Sequence, residues 1–321
     1  MQADTTSFVL LWQVAASLAR LAALGQLGWM KPSRPRRAVL YVPASNEKAL
    51  AKATTLACDA VIIDLEDAVA PVAKEEARER MRAFLREVDR SGREWIVRIN
   101  QLSGEGGTED FLAARGAVPD AILLPKVNGP ADIRIAEEAL EQTDAPERLA
   151  LWAMVETPRG MIELPALAAD SRRPFARLAC LVAGTNDLVK ETGLKPGPGR
   201  ANLVPWLLQM VLAARAGGLD VLDGVSNDFR DLDAFSAECR QGAELGFDGK
   251  TLIHPAQIEA ALSTFSPSPE EVAEAETIVA TFAAPGNAEK GVIQIDGRMV
   301  ERLHLAQAER LLARSKGRNK A

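Results

Sequence analysis

The sequence predicts an α/β fold, a (β/α)8 TIM barrel with a C-terminal helical extension. Three observations lead there. Eight short apolar runs rich in β-branched residues recur between residues 38 and 255, a helix-like stretch separates each from the next, and no two-residue hairpin turn joins one run directly to another. Strands that alternate with helices pair in parallel through right-handed crossovers, and eight such units close a barrel. A doubly wound open sheet is the competing architecture. The count of eight and the absence of GxGxxG after the first run disfavour it.

The strands are read in order at AVLYVP (38–43), AVIIDLED (60–67), WIVRIN (95–100), AILLPK (121–126), LWAMVET (151–157), LACLVAGTND (178–187), LDVLDGV (219–225) and GKTLIHP (249–255). Each is a short apolar run closed by a polar residue or a chain breaker. The intervening stretches, such as AKEEARERMRAFLREV and DLDAFSAECRQGAELG, carry charges and apolar residues mixed along their length, as helices do. After the barrel, SPSPEEVAEA (266–275) places Ser and Pro before acidic residues, a helix-start signal. The remaining tail reads as helix, exposed loop or short hairpin, and helix. The expected division is an N-terminal extension over residues 1–33, a barrel over 34–262, and a C-terminal segment over 263–321 that packs on a neighbouring subunit.

Composition narrows the class. The chain has 321 residues, 47% hydrophobic and 26% charged, ordinary for a globular protein with room for a large core. A net charge of −6 excludes nucleic acid as a general partner. The three cysteines, Cys58, Cys180 and Cys239, are scattered without CxxC spacing, which excludes a disulfide framework and fits a reducing cytoplasm. The apolar stretch FVLLWQVAASLARLAALGQLGW is interrupted by Arg20 and lacks a basic start, so neither a membrane span nor a signal peptide is expected, and Met30 before KPSRPRR has the character of a natural start.

In such a barrel, polar residues at the carboxyl ends of strands face the active-site mouth. Here those ends hold Asp64, Glu66, Asp67, Arg98, Asn100, Lys126, Glu156, Asn186, Asp187, Asp223 and His254. Any one of them has a plain alternative, as a helix cap or a structural ion pair. Glu156 and Asp187 close consecutive strands, so their carboxylates can approach one another. A hard divalent cation such as Mg²⁺ would relieve their repulsion; an acid–base pair sharing one proton is the other option. Arg98 suits bidentate recognition of a carboxylate or enolate, or a structural pairing with Asp64 or Glu66. Lys126 is placed to anchor acids in the same mouth. With two histidines in the chain a histidine-rich zinc site is excluded, and no P-loop or Ser-His-Asp pattern appears.

Together the segments LYVPASNEKALAKA, DAVIIDLEDAVAPVAKEEAR, VRIN, AILLPKV, MVETPRG, GTNDLVKETG, LDGVSND, GFDGKTLIHPAQI and DGRMVERLHLA resemble the HpcH/HpaI aldolase/citrate lyase family, over roughly residues 34–312. The resemblance is greatest to its free-standing malyl-CoA and citramalyl-CoA lyases. It implies a Mg²⁺-dependent barrel (Mn²⁺ being the other candidate ion), assembled as a homotrimer or homohexamer. The implied reaction cleaves or forms a 3-hydroxyacyl-CoA, giving acetyl- or propionyl-CoA plus glyoxylate or pyruvate. Thioester hydrolysis, or action on a carrier-bound citryl thioester, are the alternatives.

On the same resemblance Glu156 and Asp187 are the metal ligands and Arg98 the substrate-binding arginine. Tyr41, Asn46 and Lys52 fall where CoA is contacted, although Asn46 stands where some relatives have arginine. Asn186 and the Ile253–His254 turn align with contacts to the ligand. Asp64, Glu66, Asp67 and Lys126 support the metal waters and Arg98. Arg36, Arg37 and Lys52 are basic residues near the first strand, available to CoA phosphates or simply to solvent. One departure concerns the C-terminal GRMVERL, where Glu301 replaces the aspartate that many relatives insert into a neighbouring site, and Leu303 replaces a proline. A histidine usual in the short-chain aldolases is also absent, its place taken by Asp67.

Overall fold

The computed structural model describes residues 34–315, so the extension expected over residues 1–33 lies outside the described residues. Eight parallel strands close a barrel in chain order. They are β1 (Ala38–Pro43), β2 (Ala60–Asp64), β3 (Glu94–Arg98), β4 (Ala121–Leu124), β5 (Ala150–Val155), β6 (Leu178–Ala183), β7 (Asp220–Asp223) and β8 (Gly249–Leu252). Leu252 of β8 lies opposite Leu40 of β1, which closes the ring and leaves no free edge. Several runs outlast their strands: the ladder stops at Asp64 and Ala183, and the polar LED and GTND segments turn away into the mouth.

The continuous apolar character of the runs follows from burial on both faces. Ile62, Ile96, Leu123, Trp152, Val182 and Leu222 fill the barrel interior. Their neighbours Val61, Val97, Ile122, Leu151, Leu181 and Val221 pack outward against the helices. At the amino ends of the strands an ion cluster closes the floor. Arg36 donates to both oxygens of Glu94 (2.7 and 2.9 Å) and to Asp220 (2.7 Å), with its guanidinium 4.8 Å above the Trp152 ring. Arg37 is held by Asp59 at the same end. This corrects the reading of both arginines as phosphate-binding or solvated groups: they lie at the end of the barrel opposite its mouth and are paired there.

After β8 the helix Ile258–Phe265 completes the outer shell. The next helix, Pro269–Ala283, begins with a reciprocal cap in which Ser268 Oγ accepts from the Glu271 amide and Glu271 Oε2 accepts from the Ser268 amide. A hairpin follows, β9 (Val292–Ile295) and β10 (Arg298–Glu301), turning at Asp296 and Gly297, whose φ values of 48° and 79° match the tight turns that hairpin twist favours. The helix Arg302–Ser315 comes last, and Phe282, Ile293 and Val300 form a small core of their own. Among the described residues no helix is long and apolar enough to cross a membrane.

Candidate active site

The polar strand ends converge on a cavity of about 320 Å³ at the carboxyl end of the barrel. Tyr41, Asp64, Asp67, Arg98, Glu156, Asn186, Asp187 and Ile253 all line it. Glu156 follows the last residue of β5 and is only 2% exposed. Asp187 sits in the first turn of the helix Thr185–Thr192, which begins directly after β6. The turn between them requires Gly184, because a Cβ there would lie 2.3 Å from Glu156 Cβ and 2.6 Å from Glu156 Oε2. On the other side, the Lys126 amide donates to Glu156 Oε1 at 2.7 Å.

Arg98 is gripped from beneath. Its Nε and Nη2 donate to the two oxygens of Asp64 at 2.7 and 2.6 Å, and the Tyr41 ring packs 5.0 Å from the guanidinium. Asp64 is itself fixed by the amides of Glu66 (2.9 Å) and Ala68 (3.2 Å). Nη1 remains on the far edge, 3.0 Å from Glu66 Oε2 and 3.6 Å from Asp67 Oδ2. The contact with Glu66 is an ion pair without hydrogen-bond alignment, so Glu66 Oε2 is a buried oxygen that accepts no hydrogen bond. Glu66 Oε1 accepts from Lys126 Nζ at 2.9 Å.

Five carboxylates, those of Asp64, Glu66, Asp67, Glu156 and Asp187, therefore share this mouth with two cationic side chains, Arg98 and Lys126. The imbalance shows in the electrostatics. Burial, then the charge of Glu66, and then that of Asp187 push the Glu156 carboxyl up to about 8, against the Lys126 amide and Arg98. Burial also raises Glu66. Burial opposes the charge on Arg98, and Asp64 outweighs it, so the guanidinium stays protonated.

A divalent cation fits this donor set. Glu156 and Asp187 offer hard oxygens, and the neighbourhood is short of positive charge. Among the described residues no three His, Cys, Asp or Glu side chains form a complete cage. Mg²⁺ takes one or two carboxylates and fills its octahedron with water and substrate oxygens, so two acidic ligands would suffice for it. The thiols offer nothing here: all three cysteines are buried, and burial raises Cys58 to about 11 and Cys239 to about 12.

Other expected residues lie elsewhere. Asn46 accepts from the Ala49 amide as the cap of the helix Glu47–Ala53, and Lys52 is exposed on its last turn; neither lines the cavity. The His254 ring stacks on Phe229 at 4.6 Å, and its Nδ1 accepts from the Ala256 amide, so its side chain is turned to local structure. The amides of Ile253 and His254 both donate to Gln257 Oε1 at 3.0 and 3.1 Å, and the His254 carbonyl accepts from the Gln257 amide at 3.1 Å, so this turn is held by Gln257. Asp223 is fully buried outside the barrel with Lys250 and Arg200, each 2.9 Å away, because Leu222 takes the inward position on β7. Its placement at the mouth is thereby corrected. Glu301 is exposed at the end of β10 and does not line the cavity.

The cavity also contains residues that the sequence reading passed over: Met154, Thr185, Asn227 and Thr251. Asn227 pairs with Asn186 through both amides, at 2.9 and 3.0 Å. A second polar residue after β7, in the SND of LDGVSND, was the available signal.

Comparison with known proteins agrees with this architecture. Residues 37–255 match the model of the HpcH/HpaI aldolase/citrate lyase family. A (3S)-malyl-CoA thioesterase of Cereibacter sphaeroides is 46% identical over 283 residues, covering 88% of this chain and 95% of that protein. The mitochondrial citramalyl-CoA lyase of Mus musculus is 33% identical, covering 93% and 94%. The crystal structure of protein CitE from Mycobacterium tuberculosis, in complex with magnesium, acetoacetate and coenzyme A, superposes with a TM-score of 0.67 at 30% identity, over 88% of this chain and 98% of that one. The chain belongs to the HpcH/HpaI aldolase/citrate lyase family.

Proposed function

We propose that the protein is a Mg²⁺-dependent enzyme acting on the CoA thioester of a short hydroxy dicarboxylic acid, with malyl-CoA as the first candidate, and that it hydrolyses the thioester to the free acid and CoA. The observation that carries the metal and the acidic substrate group is the crowding of Glu156 and Asp187 in one mouth with Arg98, and the CoA thioester is inferred from the similarity to CoA-ester enzymes. The 46% identity to a malyl-CoA thioesterase favours hydrolysis. Carbon–carbon cleavage to acetyl- or propionyl-CoA plus glyoxylate or pyruvate is the second reading, favoured by the 33% identity to a citramalyl-CoA lyase.

Glu156 and Asp187 would hold the ion, which when bound supplies a Lewis acid for the carboxylate and hydroxyl oxygens of the acid. Arg98 serves either reaction. Its Nη1 edge would stabilise a thioester oxygen as it gains negative charge, whether in hydrolysis or as an enolate, and Asp64 holds the guanidinium rigid so that little reorganisation accompanies the reaction. Glu66 and Lys126 steady that edge and the polar rim around it. Tyr41 shields the other face of the guanidinium. Glu301, exposed on its hairpin, is read as entering the site of an adjacent subunit in a homotrimer or homohexamer, where it would orient water or deliver a proton. The working environment is read as the cytoplasm.

Product analysis after incubation with malyl-CoA and Mg²⁺ tests this. Malate plus free CoA supports hydrolysis; acetyl-CoA plus glyoxylate supports the lyase. Activity that survives EDTA removes the metal. If free CoA thioesters are inert and turnover needs an acyl-carrier protein, a citrate lyase-like subunit is the better reading.

A further inference from the structure

Lys126 adopts φ +50°, a left-handed backbone conformation uncommon for a residue with a side chain. It follows Pro125, immediately after β4 leaves its pairing with β5 at Leu124 and Ala153. The turn has a specific result. The Val127 amide returns to the neighbouring strand and donates to the Met154 carbonyl at 3.3 Å, whereas the Lys126 amide swings into the mouth and donates to Glu156 Oε1 at 2.7 Å. The ammonium of the same residue points to a different acid, Glu66 Oε1 at 2.9 Å. One residue thus reaches two carboxylates by two separate means.

Gly184 closes the other side of Glu156, with Oε2 where a Cβ would collide at 2.6 Å. The carboxylate is therefore wedged between the Lys126 amide, which bonds Oε1, and the Gly184 backbone beside Oε2, in a residue that lines the cavity. Strained backbone of this kind concentrates where function needs a group aimed.

Resting on the reading of Glu156 as a metal ligand, we propose that Lys126 is a positioning residue whose main chain, rather than its ammonium, holds Glu156 to one-oxygen ligation of the ion. The amide bond to Oε1 disfavours two-oxygen chelation and leaves Oε2 as the preferred single ligand atom. Mg²⁺ demands a near-ideal octahedron and is satisfied by single carboxylate oxygens, whereas Ca²⁺ accepts two-oxygen carboxylates and six to eight ligands. The left-handed turn is thereby a selectivity device for the smaller ion.

The test separates backbone from side chain. Lys126→Gly and Lys126→Asn lack the ammonium but tolerate positive φ, and Lys126→Val and Lys126→Ile lack it and resist that conformation. Lys126→Ala stands in should the branched variants fail to fold, as judged by thermal melting. Binding of Mg²⁺ and of Ca²⁺ is measured by titration calorimetry on the full chain without substrate. Gly and Asn are expected to keep Mg²⁺ affinity within about threefold of the original, while Val and Ile lose about tenfold or more and lose less for Ca²⁺. Equal losses in Gly and Val would assign the effect to the ammonium and overturn the proposal. Unchanged affinity in all variants would overturn it as well. If the unmodified protein binds no Mg²⁺, the metal reading falls together with it, a result distinct from the other two.

Discussion

The guanidinium of Arg98 and the carboxylate of Asp64 face each other edge to edge, at 2.7 and 2.6 Å, with both side chains nearly buried. Adjacent strands supply them, since Asp64 and Arg98 are partners in the β2–β3 register. Asp64 thereby takes the Nε and Nη2 edge of Arg98 and leaves Nη1 for other partners. Asp64→Asn is expected to lower stability by about 3–5 kcal/mol, as when one half of a buried pair is removed, and to cut kcat/KM more than Asp67→Asn does. Urea unfolding alongside steady-state kinetics checks both.

Glu156 gives the protein a pH signature. In metal-stripped protein the folded state holds a proton on Glu156 up to about pH 8, while the unfolded chain releases it in the ordinary carboxylate range. The folded state therefore binds more protons across that window, and its stability falls as pH rises through it, by up to about 1.4 kcal/mol per unit. Glu156→Gln should flatten this slope in thermal melts.

The same proton competes with the ion. Mg²⁺ affinity should rise with pH until about pH 8 and then level. Calorimetry in buffers of different ionisation enthalpy would report close to one proton released per ion bound below that pH, and none above it.

Gly184 admits no side chain. Gly184→Ala puts a Cβ against Glu156 at 2.3 Å and should weaken Mg²⁺ binding by about tenfold or more, since the ligand must rotate away. Gly116→Ala, where a Cβ meets nothing within 4 Å, is the matched control and should leave binding unaltered.

If Glu301 completes a neighbouring subunit's site, Glu301→Ala and Glu156→Gln chains should each be inactive alone, yet recover activity when mixed assemblies form. Activity regained after co-refolding the two would show sharing between subunits; its absence in verified mixed oligomers would place Glu301 outside the reaction.

Much of the architecture was legible because parallel strands covered on both faces must be apolar at successive positions. That rule made the eight runs visible, and the polar residues closing them marked the mouth. It also hid something: a run apolar on both sides does not reveal which residue faces inward. Asp223 was misplaced for that reason, its strand presenting Leu222 to the interior and Asp223 to the helices. Arg36 carried the opposite ambiguity, since a basic residue before β1 has the same sequence signature at a phosphate, in solvent or in a buried floor cluster.

By itself the chain's order of residues determined the barrel and the adjacency of Glu156 and Asp187, because consecutive strands in a parallel barrel are neighbours in space. Tertiary structure alone decided where each charge points: that Lys126 turns left-handed to give its amide to Glu156, that Arg98 spends one edge on Asp64, and that Gln257 takes the amides of Ile253 and His254. The reason is physical. Strand identity follows from local hydrophobicity, whereas the direction of a buried polar group is set by partners distant in sequence that compete to satisfy it.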